Sequence, residues 1–169
     1  FGLLPLRQAI AAKLAQDNNI QVDAHNEVIV TAGVSEGIMI SMMALLNPGD
    51  EVLIADPLFP AYAMAARMAG AIPVSVPVDR FNDYQPTKDA LVGKLTAKTR
   101  MLVVTTPGNP TGLVLDKNTL MMLADFAISH DLLVIADEIY EKLIYDQREH
   151  ISIASLPNMR SRTLTLNGF

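Results

Sequence analysis

The segment DLLVIADEIY, residues 131–140, runs Leu132, Leu133, Val134, Ile135 and Ala136 without interruption into Asp137. An unbroken apolar run of this length does not alternate between a wet and a dry face, so it reads as a strand covered on both sides, the habit of parallel sheets. Asp137 then stands where a buried strand runs out. A carboxylate in that place is costly unless it is protonated or paired, and the residues alone leave two readings of it open. It either caps a helix that follows or meets a cation.

The same pattern recurs on both sides of this segment. Towards the N-terminus, LPLRQAIAAKLAQD (4–17) spaces Leu6, Ile10 and Leu14 on a helical stripe, and NEVIVTAG (26–33) predicts a short β-branched strand ending at Gly33. SEGIMISMMALL (35–46) predicts a helix apolar nearly all round, as for one lying between a sheet and another layer, and it stops at the turn NPGD. The strand EVLIA, the helix FPAYAMAARMAG with Gly70 in the C-terminal capping place, and the strand AIPVSVPV follow. Helix TKDALVGKL, strand RMLVVTT, loop PGNPTG, helix KNTLMMLADFAISH, strand LLVIAD and strand RTLTLN complete the alternation. The expectation is an α/β fold, a three-layer α/β/α sandwich with a mostly parallel sheet, formed by residues 1–169 as one domain. Sheets of this kind bind ligands beyond the carboxyl ends of their strands.

Composition narrows the function classes. The net charge is -5 and the 13 Lys and Arg residues are scattered, so a nucleic-acid partner is not expected. No apolar run reaches the ~20 residues of a membrane span, and no charged-then-apolar leader opens the chain, so neither membrane nor export is expected. The sequence has no cysteine, which removes disulfides and thiolate metal sites and fits a cytoplasmic location. His25, His130 and His150 share no metal-ligand spacing, and Met39, Met42 and Met43 read as gap-filling core. Phe1 opens a helical pattern without a Met and RTLTLNGF closes on a strand pattern, so the segment reads as an excerpt of a longer protein.

Four features fall just past strand ends: Gly33, Val34 and Ser35; Asp56 to Phe59; the PGNPTG loop with Asn109; and Asp137. Ser35 reads either as a helix N-cap or as part of a phosphate cradle at a helix start. PGNPTG is explained by turn chemistry alone, leaving the Asn109 side chain as the open question, and Phe59 reads as a core aromatic or as a ligand platform. In a doubly wound sheet all four would meet at one crevice.

In this order and spacing, GLLPLRQAIA, VTAGVSEG, NPGDEVLIADPLFPAY, TTPGNPTG, VIADEIYEKLIYD and TLNGF resemble successive signatures of the class I/II aminotransferases, fold-type I pyridoxal-phosphate enzymes, over nearly the whole chain. The resemblance implies the cofactor pyridoxal 5'-phosphate and its large binding domain. It implies that Gly33, Val34 and Ser35 hold the phosphate, that Phe59 stacks on the pyridine ring, and that Asn109 and Tyr140 donate to the phenolic oxygen, with Asn109 also touching the substrate carboxylate. Asp137 would face the pyridine nitrogen and keep it protonated, which makes Asp137 and Tyr140 the catalytic residues within this stretch. The implied reaction moves an amino group between an amino acid and a 2-oxo acid, usually in a homodimer.

One departure matters for chemistry. In the family the stretch resembling TLNGF continues within two residues into the lysine that forms the Schiff base with the cofactor, whereas this chain closes at Phe169 and none of its lysines takes that place in the motif. The segment by itself is therefore expected not to transaminate. A β-lyase of the same fold, or the aminotransferase-like ligand-sensing domain of a transcriptional regulator, would carry the same signatures, and a helix-turn-helix before Phe1 would mark the second.

Overall fold

The computed structural model describes residues 1–168, so Phe169, the last residue of the TLNGF stretch, lies outside the described residues. Five helices, α1 (Leu4–Asp17), α2 (Val34–Leu45), α3 (Ala61–Met68), α4 (Lys88–Val92) and α5 (Lys117–Ser129), alternate with strands β1 (Glu51–Asp56), β2 (Ile72–Pro77), β3 (Thr99–Thr105), β4 (Leu133–Asp137) and β5 (Thr163–Leu166). The strands form one sheet in the order β2-β1-β3-β4-β5, and every pairing is parallel. The chain winds from β1 outward to β2, then crosses back over β1 to add β3, β4 and β5 on the other side. The reversal between β1 and β3 leaves a crevice at their carboxyl ends.

Side-chain parity splits the core into two layers, one on each face of the sheet. Leu102 and Val104 of β3 and Val134 and Ala136 of β4 join Leu91, Leu120, Leu123 and Phe126 in the cluster under α4 and α5. The alternate residues Met101, Val103 and Ile135 join Ile38, Met42, Tyr62 and Ala65 under α2 and α3. Both faces of β3 and β4 are dry, which is why their sequences read as continuous apolar runs. The expected three-layer α/β/α architecture is the one adopted.

Three expectations differ from the structure. Residues 26–33 make no ladder: the Val30 N–H donates to the Phe1 carbonyl at 3.1 Å, but no neighbouring strand stands beside them among the described residues. Ile29 and Thr31 instead face a cavity of about 410 Å³ that Leu164, Thr165 and Leu166 of β5 also line, so this β-branched run borders a space and not a partner strand. The second difference is in α2, which buries Gly37, Ile38, Ser41 and Met42 but leaves Ile40 and Met43 exposed, because the described residues supply no layer outside it. Met43 is therefore not core, whereas Met42 is. Finally, α4 is shorter than its pattern, capped by the Thr87 side chain and ended at Gly93. No helix among the described residues is long and apolar enough to cross a membrane.

Candidate active site

Strand register decides what surrounds Asp137. Thr105 and Asp137 are paired across β3 and β4, and each continues the parity of the residues that face α2 and α3. Tyr62, in the first turn of α3, lies over that face at 1% exposure. Its hydroxyl donates to Asp137 Oδ2 at 2.5 Å and receives a hydrogen bond from Thr105 Oγ1 at 3.2 Å. On its other oxygen Asp137 accepts the Ile139 N–H at 3.1 Å. The carboxyl is only 3% exposed. Burial pushes its pKa up, opposed by the hydrogen bonds from Tyr62 and Ile139, and the net direction is upward.

No helix starts directly after Asp137, so the capping reading is excluded. Residues 138–143 form turns held by Glu141 N–H to Glu138 O (3.0 Å) and Leu143 N–H to Tyr140 O (2.7 Å), while the Glu138 N–H closes onto Leu166 at the end of β5 (2.9 Å). This turn brings Tyr140 beside Asp137 on the cleft wall.

The other predicted residues arrive from three loops. Gly33 caps α2 with φ 82° and ψ 170°, a conformation open essentially to glycine alone, and its carbonyl takes the Gly37 N–H. The first N–H groups of α2, those of Val34 and Ser35 among them, have no intrahelical partner and point outward with the helix dipole behind them. Ser35 lies within the first turn and makes no capping bond, so the N-cap reading of it is corrected: Gly33 holds that place. Glu36 turns back to accept the Ala32 N–H, which keeps its charge occupied with the backbone before the helix. After β1, Phe59 is 39% exposed and meets Tyr62 edge-on, with centroids 6.2 Å apart at 89°. It is a wall of the cleft and not a core aromatic. After β3, the PGNPTG loop is pinned by Gly108 N–H to Leu113 O and Gly112 N–H to Gly108 O, both 2.8 Å, and by the Leu115 N–H on Thr106 Oγ1 at 3.0 Å. That frame holds Asn109 at the cleft, half-buried.

Val34, Ser35, Phe59, Asn109, Asp137 and Tyr140 thus line one cleft of about 270 Å³, with Tyr62, Thr105, Ile38 and Ile139 completing it. Asp56 is not among the lining residues: its carboxylate accepts from Ser75 of β2 at 2.8 Å. Sequence reasoning missed Tyr62 and Thr105. The only local sign was an aromatic one helical turn beyond Phe59; its partner lies 75 positions away, and only strand register brings the two together.

The cleft suits an aromatic ring that carries a phosphate and a protonated nitrogen. Among the described residues no Lys, Arg or His forms an ion pair with the buried Asp137, whose remaining lone pairs are available to a positive group, and the α2 N-terminus offers N–H donors for an anion. The flat wall is Phe59.

A second buried polar cluster lies behind the turn that follows β4. Glu138, fully buried, accepts from Ser152 (2.7 Å) and Asn18 (3.1 Å) and contacts His150 Nε2 (3.1 Å); Glu141 accepts from Asn18 (2.6 Å) and Asn167 (2.9 Å) and pairs with Lys13. Glu138, Glu141 and His150 bring potential metal-ligand atoms within 4.8 Å of one another. Lys13 already supplies a cation there, so the cluster is a structural joint between α1, the turn and the end of β5.

The family model described as aminotransferase class I and II matches residues 1–169. An aspartate aminotransferase of Pyrococcus abyssi is 47% identical over 169 residues, all of this chain and 43% of that protein. An aromatic-amino-acid aminotransferase of Thermococcus litoralis is 43% identical over 169 residues, again all of this chain and 43% of its own length. Among solved structures, an aromatic aminotransferase from Pyrococcus horikoshii superposes with a TM-score of 0.98 at 46% identity, covering 99% of this chain and 45% of that one. The chain therefore spans less than half the length of these relatives.

Proposed function

The chain belongs to the class I and II aminotransferase family, and from that premise we propose that residues 1–169 are the pyridoxal-phosphate-binding large domain of an aminotransferase exchanging an amino group between an amino acid and a 2-oxo acid. The observation that carries this reading is Asp137, a buried carboxylate that no Lys, Arg or His pairs with among the described residues, set in a cleft with an aromatic wall and a helix N-terminus.

Each residue then has a defined task. The Val34 and Ser35 N–H groups and the Ser35 hydroxyl bind the phosphate at the α2 N-terminus, with Gly33 shaping the turn. Phe59 stacks on the ring. Asn109 and Tyr140 donate hydrogen bonds to its phenolic oxygen, and Asn109 also reaches the substrate carboxylate. Asp137 accepts from the ring nitrogen and holds the proton there. When bound, the cofactor supplies an electron sink for the pair released as a substrate C–H bond breaks. The same reading carries a homodimer with sites at the subunit boundary and a cytoplasmic location, both extended from the family resemblance.

The test is the visible absorption of the natural polypeptide carrying this segment, with pyridoxal phosphate, before and after single amino acids are added. The expected result is a cofactor band that one amino acid converts to the pyridoxamine form, which also names the donor. A band that no amino acid discharges contradicts transamination; failure to form a band contradicts the cofactor assignment itself.

A further inference from the structure

We propose that Tyr62 is a positioning residue that acts through Asp137: with Thr105 behind it, Tyr62 aims the Asp137 carboxylate at the cleft and holds it ionised. The inference deepens the reading above and rests on it for its cofactor-bound consequence, though not for its effect on Asp137 itself.

The hydrogen bonds form a one-way chain. A phenol has a single proton to give. Thr105 Oγ1 donates to the Tyr62 oxygen at 3.2 Å, so the Tyr62 proton is directed to Asp137 Oδ2 at 2.5 Å. Tyr62 is 1% exposed, and burial together with the neighbouring Asp137 charge pushes its pKa upward. Both effects favour the protonated phenol and so keep Tyr62 a donor. With the Ile139 N–H on Oδ1, both carboxylate oxygens are fixed and cannot swing out of line.

The arrangement also resolves a conflict. Burial of Asp137 favours its neutral form, while a partner for a protonated ring nitrogen must be ionised. Hydrogen bonds donated to a carboxylate favour the ionised form, and Tyr62 provides the one side-chain donor that Asp137 has among the described residues. Its ring is held independently, by the cluster with Ile38, Met42 and Ala65 and by the edge-on contact with Phe59, so removing the hydroxyl leaves the packing in place.

Two titrations of the natural polypeptide carrying this segment test the proposal. In the cofactor-free protein, carbon-13 NMR of the Asp137 carboxyl is followed against pH in wild type, Tyr62→Phe and Thr105→Val. The expected result is an Asp137 pKa higher in Tyr62→Phe by roughly one unit or more, a tenfold change in proton affinity, with a smaller rise in Thr105→Val. In the pyridoxal-phosphate complex, the nitrogen-15 shift of the labelled ring nitrogen should show a smaller protonated fraction in Tyr62→Phe, because the more basic Asp137 carboxylate takes a larger share of the proton between them. A purely structural role for Tyr62 would move the melting temperature and leave both titrations where they were; unchanged titrations overturn the proposal. Should Tyr62→Phe fail to fold, Thr105→Val alone decides, and an unshifted Asp137 in it overturns the chain. A wild type that binds no pyridoxal phosphate contradicts the proposed function and leaves the first titration to judge Tyr62.

Discussion

Thr105 and Asp137 are register partners at the carboxyl ends of β3 and β4 and face the same layer, the one formed by α2 and α3. A slip of one residue in either strand would turn that side chain into the opposite layer among Leu120 and Leu123. The apolar runs before them therefore do more than fill the core. They fix the register that puts an acid, a hydroxyl and the Tyr62 phenol within reach of one another.

Gly33 tests how the helix start is shaped. Its φ of 82° and ψ of 170° suit glycine, and an added Cβ would meet nothing within 4 Å, so the cost of Gly33→Ala is conformational and not steric. About 1–3 kcal/mol of stability should be lost. Thermal melts of the protein with and without inorganic phosphate would check this, with the variant expected to melt lower and to gain less from phosphate.

Asp137 and Glu141 should give opposite pH signatures. Burial pushes the Glu141 carboxyl up, but hydrogen bonds from Lys13, Asn18 and Asn167 outweigh it and hold the pKa below the usual 4.5. A group depressed in the fold contributes stability that is present above its unfolded pKa and is lost as pH falls through the folded value. In denaturant titrations below about pH 4.5, wild type should lose stability more steeply than Glu141→Gln.

For Asp137 the sign reverses. Its pKa is raised in the fold above 3.8, so its contribution is fully present below that value and is lost as pH rises through the folded one. Burial of the carboxyl opposes its ionised form. Asp137→Asn cannot titrate and has one acceptor oxygen for the two donors that Asp137 receives, so it should remove this pH dependence from the melting temperature of the cofactor-free protein while weakening pyridoxal-phosphate binding. The same pH dependence of the melting temperature in the two proteins would contradict the raised Asp137 pKa.

The alternation of apolar runs and helical stripes made the layers legible in the sequence, because dry strands and half-dry helices write their surroundings into composition. Gly33, Ser35, Phe59 and Asn109 stood out in the sequence by their places past strand ends, while their ligand roles, and Tyr140 altogether, came only with the family resemblance. Tyr62 was not, since an aromatic in an amphipathic helix reads as packing until register shows its hydroxyl against a carboxylate. The same holds for Glu138 and Glu141, whose partner Asn18 lies 120 and 123 positions away. Residues 26–33 misled in the other direction: β-branched residues favour a strand only where a neighbour offers a ladder.

The central claim, that Asp137 is the partner of a protonated pyridine nitrogen, is tested most directly by equilibrium titration of pyridoxal phosphate into the natural polypeptide and its Asp137→Ala variant. Removing one member of a buried charged pair costs about 3–5 kcal/mol, so the affinity should fall by about two to four powers of ten while the α2 N-terminus stays intact. Equal affinity in the two proteins would contradict the assignment of Asp137 and, with it, the account of this cleft.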